Sequence, residues 1–347
     1  MTPPRGSGKG KGGAGKGGRG GPPGRGAPAG RGAKGAGPAK KAAKPLSPAA
    51  KKAVEAKRTK HAAASVRKAD RPGGGPRRVA SGPREPGRRG PKNDGIGGDQ
   101  VEGRQAVREL LLAGSRRIRE IYVAEDQDDN EVLGDIVELA LDLKVPVREV
   151  TRTRLFAEAR TDAPQGVVAK AQALKEWDVD DLARRPSPSG APPFLLAVDG
   201  VTDPGNLGAL LRSAECAGVT GVVLPRHRAV HVTPTVTKAA AGAVEHLPMA
   251  LVGGLPNALR GLRDAGVWVI GLDAGGDTDL FDLEVADQAV CLVLGAEGKG
   301  LSRLVRERCD AVAGIPLLGQ LASLNVAAAG ALACYEVTRR RLASPRP

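Results

Sequence analysis

From residue 194 onward the chain alternates between two hydrophobic patterns. Short, uninterrupted apolar runs, typical of buried strands, alternate with stretches whose apolar residues recur at helical spacing. The runs predict strands at 194–199, 220–224, 248–252, 267–272, 289–294 and 311–315, and helices at 206–217, 235–242, 255–265, 300–308 and 323–341. Strands that alternate with helices predict a mainly parallel sheet with helices on both faces. The fold class is therefore α/β.

A smaller α/β unit precedes this region. Its pattern predicts a helix beginning near Val101 and ending near Gly114, followed by strands at 118–123, 145–150 and 166–173 and helices at 131–143 and 151–160. We expect three parts after the N-terminal segment: a small domain at 98–175, a Pro- and Ser-rich linker at 176–193, and the larger domain at 194–343.

Residues 1–95 differ in composition from the rest. This segment holds 25 Lys and Arg against 4 Asp and Glu, whereas the remainder holds 28 basic and 34 acidic residues. It consists largely of Gly, Pro, Ala, Lys and Arg, so it cannot bury enough apolar surface to offset the entropy cost of ordering. We expect a disordered basic tail that binds nucleic-acid phosphates without reading sequence, although a purely solubilising extension remains an alternative.

Other features limit the function classes. The four cysteines form no CxxC pair, and the four histidines have no metal-ligand spacing, so we expect buried free thiols and no metal. No apolar run approaches the roughly 20 residues of a membrane span, and the N-terminus lacks the apolar region of a signal peptide. We therefore expect a cytoplasmic protein without a membrane partner.

The usual nucleotide-binding fingerprints are absent. Gly295-Ala-Glu-Gly-Lys-Gly300 superficially looks like a phosphate loop, but the pattern requires Lys at position 301, where Leu stands. The first strand and helix of the larger domain are joined by Thr202-Asp-Pro-Gly-Asn-Leu-Gly, which contains no GxGxxG. These departures argue against a P-loop NTPase and a Rossmann dehydrogenase.

Three short blocks instead join strand ends to helix starts, where an α/β sheet offers unpaired backbone N–H groups to ligands. They begin at Asp199, Leu294 and Ile315 and read DGVTDPGNLGALLRSA, LGAEGKGLS and IPLLGQLASLNVA. In the first, Asp203-Pro-Gly predicts a turn, with Asn206 as a helix cap ahead of Arg212. Taken singly, each block is also compatible with an ordinary turn or capped helix.

Taken together and in this order, the blocks resemble the three motifs of the SpoU/TrmH class of RNA 2′-O-ribose methyltransferases. The resemblance implies a C-terminal trefoil knot that binds S-adenosylmethionine, and a homodimer with the active site at the subunit interface. The residues implied to bind this cofactor are Gly295, Glu297, Gly298, Ile315, Leu317, Leu324 and Asn325. The residues implied to be catalytic are Arg212, Asn206, Glu297, Ser323 and Asn325.

The roles within the catalytic set follow from chemistry. The family residue matching Arg212 is assigned to the ribose 2′-hydroxyl, in some accounts as the base, but a guanidinium stays protonated at ordinary pH. We therefore expect Arg212 to clamp the target phosphate and stabilise developing alkoxide charge, while water or another group accepts the proton. Asn206 would position Arg212 or the ribose, and Glu297, Ser323 and Asn325 would orient the hydroxyl and the methyl donor.

The substrate is expected to be RNA, because only RNA carries the 2′-hydroxyl. Glu102-Gly-Arg104 and the residues after it resemble the L30e-like substrate-binding domain of this class, with Arg104, Arg116 and Arg117 as expected phosphate contacts. A two-domain protein of this kind most resembles the enzymes that methylate a guanosine of 23S rRNA. A tRNA methyltransferase, an rRNA methyltransferase conferring antibiotic resistance, and a non-catalytic RNA-binding assembly factor are the alternatives.

Overall fold

The computed structural model describes residues 96–125, 130–227 and 229–343. The predicted disordered tail, residues 1–95, lies outside the described residues, so its expected disorder and RNA contacts stay predictions. In the part of the chain that is described, no helix is long and apolar enough to span a membrane.

The smaller domain is a four-stranded mixed sheet with three helices. Its elements are β1 (Gln100–Glu102), α1 (Arg104–Ala113), β2 (Ile118–Ala124), α2 (Glu131–Asp142), β3 (Val147–Val150), α3 (Arg152–Glu158) and β4 (Val167–Ala171). The strand order is β1-β4-β2-β3, with β2 and β3 parallel and the other pairs antiparallel. Helices α1 and α2 bury Leu110 and Ile136 against Ile121 of the sheet.

The start of this domain differs from the sequence prediction. The predicted helix near Val101 is preceded by a strand, β1, and the helix itself begins only at Arg104. Gly103 separates the two with φ of 93°, a conformation that favours glycine. Val101 fits the apolar spacing of the helix that follows, and it is fully buried in the structure as part of β1. A single apolar residue shows no periodicity of its own, so the predicted helix extended into the strand.

The larger domain is a seven-stranded sheet in which every strand pair is parallel, which confirms the predicted architecture. Its strands are β5 (Phe194–Val198), β6 (Gly221–Pro225), β7 (Met249–Val252), β8 (Trp268–Leu272), β9 (Thr278–Asp279), β10 (Val290–Leu294) and β11 (Ala311–Gly314). Its helices are α5 (Pro204–Cys216), α6 (Pro234–Ala239), α7 (Leu255–Asp264), α8 (Arg303–Arg306) and α9 (Val326–Ala343). The strand order is β7-β6-β5-β10-β8-β11-β9.

Both faces of this sheet are covered. Alternating residues of β5 point to opposite sides, so Leu196 lies in a core with α5, α6 and α9, whereas Leu195 lies in a second core with α7. Helices α5 and α9 pack tightly, because a Cβ on Gly330 would lie 2.3 Å from Leu210 Cδ1. Their neighbouring ends are joined by a hydrogen bond from Thr338 Oγ1 to Ala217 O (2.7 Å), so the two helices run in parallel.

The predicted linker at 176–193 contains regular structure that the sequence analysis missed. Its residues include helix α4 (Val179–Ala183), capped by the side chain of Asp178. Leu182 of this helix is fully buried in the core that contains α7. The segment therefore packs on the larger domain through Leu182 and Ala183, with Trp177 and Val179 partly buried beside them.

Candidate active site

The candidate site forms where three adjacent strands end together. In the ladder that joins β5, β10 and β8, Val198, Leu294 and Leu272 occupy the same level. Since parallel strands place their carboxyl ends at one edge, the segments that follow these strands meet there. The first two blocks follow the neighbouring strands β5 and β10, and the third follows β11, which ends at the same edge on the far side of β8.

Helix α5 begins with a different cap from the one predicted. Asp203, not Asn206, is the N-cap, and its Oδ1 accepts a hydrogen bond from the Asn206 backbone N–H at 2.7 Å. Pro204 occupies the first turn, where its missing N–H costs nothing. The prediction of Asn206 as the cap was wrong, and the consequence is that the Asn206 side chain is available for another contact.

That contact joins all three sequence blocks. Asn206 Nδ2 donates to Glu297 Oε1 at 2.6 Å, and Asn325 Nδ2 donates to Glu297 Oε1 at 3.2 Å and to Asn206 Oδ1 at 2.9 Å. The structure thus brings together three of the five predicted catalytic residues, one from each block. We call Asn206, Glu297 and Asn325 the amide–carboxylate cluster.

Two helix starts surround this cluster. Asn325 Oδ1 accepts hydrogen bonds from the backbone N–H groups of Ala327 (2.9 Å) and Ala328 (3.3 Å), so this residue caps α9. Asn206 lies in the first turn of α5, which runs parallel to α9. The positive ends of both helix dipoles therefore lie beside the Glu297 carboxylate and stabilise its negative charge.

Two carboxylates hold the loop that carries Glu297. Asp199 Oδ2 accepts from Ser302 N at 2.7 Å, and Asp273 Oδ2 accepts from Leu301 N at 3.3 Å. Neither aspartate is among the functional residues predicted from the sequence. The signal that could have identified them is their position, since each comes directly after a buried strand that ends beside the loop.

Glycine is required in this loop for close approach. A Cβ on Gly295 would lie 2.1 Å from Gly300 C and 2.4 Å from Leu301 N, both backbone atoms. Gly300, with φ of 64°, exchanges backbone hydrogen bonds with Ala296 at 3.0 and 2.9 Å. The loop therefore folds back on itself, while Gly298 at its tip has nothing within 4 Å of its Cβ position.

Arg212 lies apart from the cluster in a single chain. It is six residues after Asn206 on α5, which corresponds to about 9 Å along the helix axis at the usual rise per residue. Its side chain is exposed, and among the described residues no carboxylate lies within ion-pair distance of it. A guanidinium on this exposed helix face is accessible to an RNA phosphate.

The remaining predicted cofactor residues form an apolar, accessible segment. Ile315 and Leu317 are half-buried and Leu324 is 41% exposed, and the predicted catalytic residue Ser323, next to Leu324, is exposed. Within the described chain, the backbone of residues 316–324 has no hydrogen-bonded partner. This combination fits an adenosyl group, since apolar side chains suit the faces of the base and unpaired backbone groups suit its polar edge.

A half-open cleft of about 640 Å³ lies elsewhere along the same edge. Its lining includes Asp199, His227, Leu255 and Ser302. None of the predicted cofactor residues contributes to it, so we do not identify this cleft with the cofactor position. In the described ranges, no cluster of three His, Cys, Asp or Glu side chains could hold a metal ion.

The three predicted RNA contacts have different surroundings. Arg117 is exposed, and Arg104 is half-buried with its Nε donating to Gln165 O at 3.0 Å. The Arg116 side chain, in contrast, is fully buried in an ion pair with Glu245. The prediction of Arg116 as a phosphate contact was therefore wrong, because its guanidinium is enclosed by protein and already neutralised.

Comparison with known proteins identifies the chain. Residues 193–335 match the SpoU rRNA methylase family, and residues 100–177 match the RNA 2′-O ribose methyltransferase substrate-binding family. The parallel sheet and the intact cluster at its edge, together with these matches, define an S-adenosylmethionine-dependent RNA methyltransferase. The chain belongs to the SpoU rRNA methylase family.

Individual relatives cover the same two domains. The chain is 38% identical to the putative TrmH family tRNA/rRNA methyltransferase YacO of Bacillus subtilis, over 70% of this chain and 96% of the relative. It is 39% identical to the 23S rRNA (guanosine-2′-O-)-methyltransferase RlmB of Pseudomonas aeruginosa, over 70% of this chain and 97% of the relative.

Solved structures show the same fold. The SpoU methyltransferase AviRb of Streptomyces viridochromogenes, in complex with the cofactor AdoMet, superposes with a TM-score of 0.58 at 25% identity, covering 71% of this chain and 91% of that protein. An AdoMet-bound rRNA methyltransferase from Sinorhizobium meliloti gives a TM-score of 0.57 at 26% identity, covering 70% and 88%. S-adenosylmethionine is accordingly the methyl donor.

Proposed function

We propose that this protein methylates the ribose 2′-hydroxyl of a guanosine in 23S rRNA. The observation that carries the chemistry is the amide–carboxylate cluster, in which one residue from each block meets at the carboxyl edge of the sheet. The guanosine of 23S rRNA is supported by the relative named for that reaction, which is matched over 97% of its length.

The chain's own residues have separate tasks in this reaction. Ile315, Leu317, Leu324 and the backbone near Gly295 and Gly298 would hold S-adenosylmethionine, which supplies an electrophilic methyl group when bound. The remaining tasks are to align the 2′-hydroxyl and to stabilise charge on its oxygen. Among the described residues, Glu297 Oε2 has no hydrogen-bond partner, so it is available to accept from a substrate hydroxyl while Oε1 is held by two amides.

Arg212 would act on the RNA rather than as a base. A guanidinium offers five N–H donors and no acceptor, so Arg212 suits a phosphate or a developing alkoxide rather than the role of proton acceptor. Ser323, exposed just before α9, would orient the hydroxyl or the methyl donor. Arg104, Arg117 and the basic residues of 1–95 would hold the RNA phosphates, in the cytoplasm where rRNA is assembled.

A homodimer would complete this site. Helix α9 exposes Ala328, Leu332 and Tyr335 at helical spacing, with Arg339 one turn further along, and an apolar stripe of this kind is typical of an interface between helices. A second copy packed along α9 could place its own Arg212 near the first copy's cluster. The trefoil knot implied by the family resemblance is part of the same proposal.

A tRNA substrate is the second candidate, because the Bacillus subtilis relative is named as a tRNA/rRNA methyltransferase. The test is to incubate the purified protein with radiolabelled S-adenosylmethionine and either unmodified 23S rRNA or tRNA transcripts, and to map the methylated ribose. Label at one 23S guanosine is the expected result. Label in tRNA alone would show that tRNA, not 23S rRNA, is the substrate. Absence of label in both RNAs, despite cofactor binding, would contradict the proposal for free RNA.

A further inference from the structure

The substrate-binding domain contacts the catalytic domain through a fully buried ion pair. Arg116 Nε donates to Glu245 Oε2 at 2.8 Å, a second guanidinium nitrogen pairs with Glu245 Oε1, and both side chains are 0% exposed. The third nitrogen, Nη1, donates to Gly98 O at 3.1 Å and Gln172 O at 3.2 Å. This bidentate geometry fixes direction as well as distance.

The backbone beside this ion pair approaches the substrate-binding domain closely. Gly242 has φ of 84°, and a Cβ on it would lie 2.6 Å from Glu109 Cβ and 3.0 Å from Ala106 Cα. Helix α1 therefore lies directly on the turn that follows α6. No side chain larger than hydrogen fits at this point without separating the two domains.

Weaker contacts surround these two. Gly97 N donates to Val232 O at 3.0 Å, His246 Nε2 lies 2.9 Å from Glu109 Oε2, and Lys238 Nζ donates to Ala163 O. All of them connect residues 96–172 to residues 232–246. We call this set, with the Arg116–Glu245 ion pair and Gly242, the interdomain seam.

The seam is one helix away from the proposed catalytic residues. Lys238 and Ala239 belong to α6, and a Cβ on Gly208 of α5 would lie only 2.4 Å from Ala239 Cβ. Gly208 is two residues after Asn206 and four before Arg212. Helix α5 is held rigidly against the seam through α6. A displacement of the substrate-binding domain would therefore move the bound RNA relative to α5.

We propose that Glu245 and Arg116 are positioning residues that fix the substrate-binding domain, and the RNA bound to it, in one orientation relative to the amide–carboxylate cluster. The inference rests on the proposed RNA methylation. Its physical basis is that a buried charge left without its partner is strongly unfavourable, so the domains either stay in this one arrangement or separate. Two domains joined only by a flexible connection would not need a buried ion pair between them.

The first test replaces Glu245 with Gln in the full chain, which removes the charge and keeps the shape. We expect the KM for 23S rRNA to rise tenfold or more, while kcat at saturating RNA and the Kd for S-adenosylmethionine stay within twofold. Hydrogen exchange should accelerate in peptides covering 96–116 and 232–246 and stay unchanged in 290–294. Glu109→Gln, which alters a half-exposed contact of the same seam, is the matched control and should leave KM within twofold.

The exchange measurement does not depend on catalysis, so it tests the seam even if the RNA substrate is a different one. Accelerated exchange throughout the chain, with loss of cofactor binding, would show a merely structural role and overturn the proposal. An unchanged KM with accelerated exchange only at the seam would overturn it as well, because the domains would then separate without consequence for RNA.

A second variant separates the domains without removing a charge. Gly242→Ala introduces a methyl group that clashes with Glu109 and should raise the KM for RNA as Glu245→Gln does. Gly261→Ala, whose Cβ has nothing within 4 Å, is the control and should not change KM. If Gly242→Ala leaves both the KM and the seam exchange at their original values, the two domains are not held by this contact and the proposal fails.

Discussion

The side-chain amide of Asn206 donates to Glu297 Oε1 at 2.6 Å, although the two residues are 91 positions apart in the chain. Asn325 donates to the same oxygen from the start of α9. One carboxylate oxygen is thus held by two amides and the other points away from them. The arrangement is a preorganised acceptor, in which two side chains fix the orientation of a third before substrate binds.

Removing the Asn206 side chain should therefore impair the reaction more than binding. In Asn206→Ala, Glu297 keeps a single, longer hydrogen bond, so we expect kcat to fall about 100-fold, the usual effect of losing one preorganised donor. The Kd for S-adenosylmethionine should change less than threefold by calorimetry. Asn257→Ala, at an exposed position of α7, is the control. Full activity in Asn206→Ala would exclude a catalytic role for the cluster.

Arg212 should be required for methyl transfer and dispensable for folding. Its side chain is exposed, so Arg212→Ala should leave the melting temperature unchanged while reducing kcat/KM at least about 1,000-fold, as expected when a charge-stabilising arginine is lost. Arg212→Lys should retain part of the activity, because a cation remains. Arg303→Ala provides an exposed arginine of the same domain for comparison. Activity retained in Arg212→Ala would contradict the role of Arg212 in methyl transfer and leave the fold assignment intact.

The sequence predicted the larger domain well because each of its strands is a short, continuous apolar run. Strands buried on both faces, such as β5 and β10, have no competing interpretation once helical patterns separate them. The elements that it missed are short: β1, β9 and α4 are too brief to show a period. Their existence depends on tertiary contacts, as with Leu182 of α4, which is buried because β6 and α7 lie next to it.

The candidate site was predictable in part for a similar reason. The blocks identified Asn206, Glu297 and Asn325, but no pattern could show that their side chains bond to each other, since that depends on how β5, β10 and α9 pack. The prediction of Arg116 as a phosphate contact was wrong because the sequence pattern indicated exposure where tertiary packing produces burial. An arginine in a basic stretch is typical of a surface, and only the docking of the two domains buries it against Glu245.

Close packing in the Glu297 loop predicts a difference between two neighbouring glycines. Gly295→Ala places a methyl group within 2.4 Å of backbone atoms that cannot rotate away, so we expect destabilisation of about 1–3 kcal/mol. Cofactor affinity should fall at least tenfold, because the loop carries Glu297. Gly298→Ala meets no neighbour and strains only a positive φ, which costs about 1 kcal/mol. Equal losses of stability and cofactor affinity in the two variants would contradict this account of the loop.

Buried thiols should make the protein less stable at high pH. Burial raises the pKa of the Cys334 thiol to about 12, whereas an unfolded thiol titrates near about 8.5. Between those values the folded state keeps a proton that the unfolded chain loses, so the free energy of unfolding falls as pH rises, by about 1.4 kcal/mol per pH unit for one thiol.

Urea denaturation of the wild type and of Cys334→Ala at pH 9, 10 and 11 measures this contribution as a difference in slope. The variant should lose less stability per pH unit, although its absolute stability is lower because a cavity is formed. Cys216→Ala, at an exposed position, should keep the wild-type slope. Identical slopes for the wild type and Cys334→Ala would show that this thiol does not contribute.

The exposed stripe on α9 should mediate dimerisation. Leu332 is 45% exposed and Tyr335 is 50% exposed on the same helix face, a pattern that a single copy leaves in contact with water. Leu332→Arg would place a charge in the interface, so we expect the dimer of the wild type to become a monomer, as measured by sedimentation equilibrium. Methylation should be lost together with dimerisation if two copies complete one site, while the melting temperature of the monomer should show an intact fold. Leu112→Arg is the matched control, because Leu112 is 48% exposed but lies in the substrate-binding domain. A wild type that is monomeric at micromolar concentration, or a monomeric Leu332→Arg with full activity, would show that each copy contains a complete site.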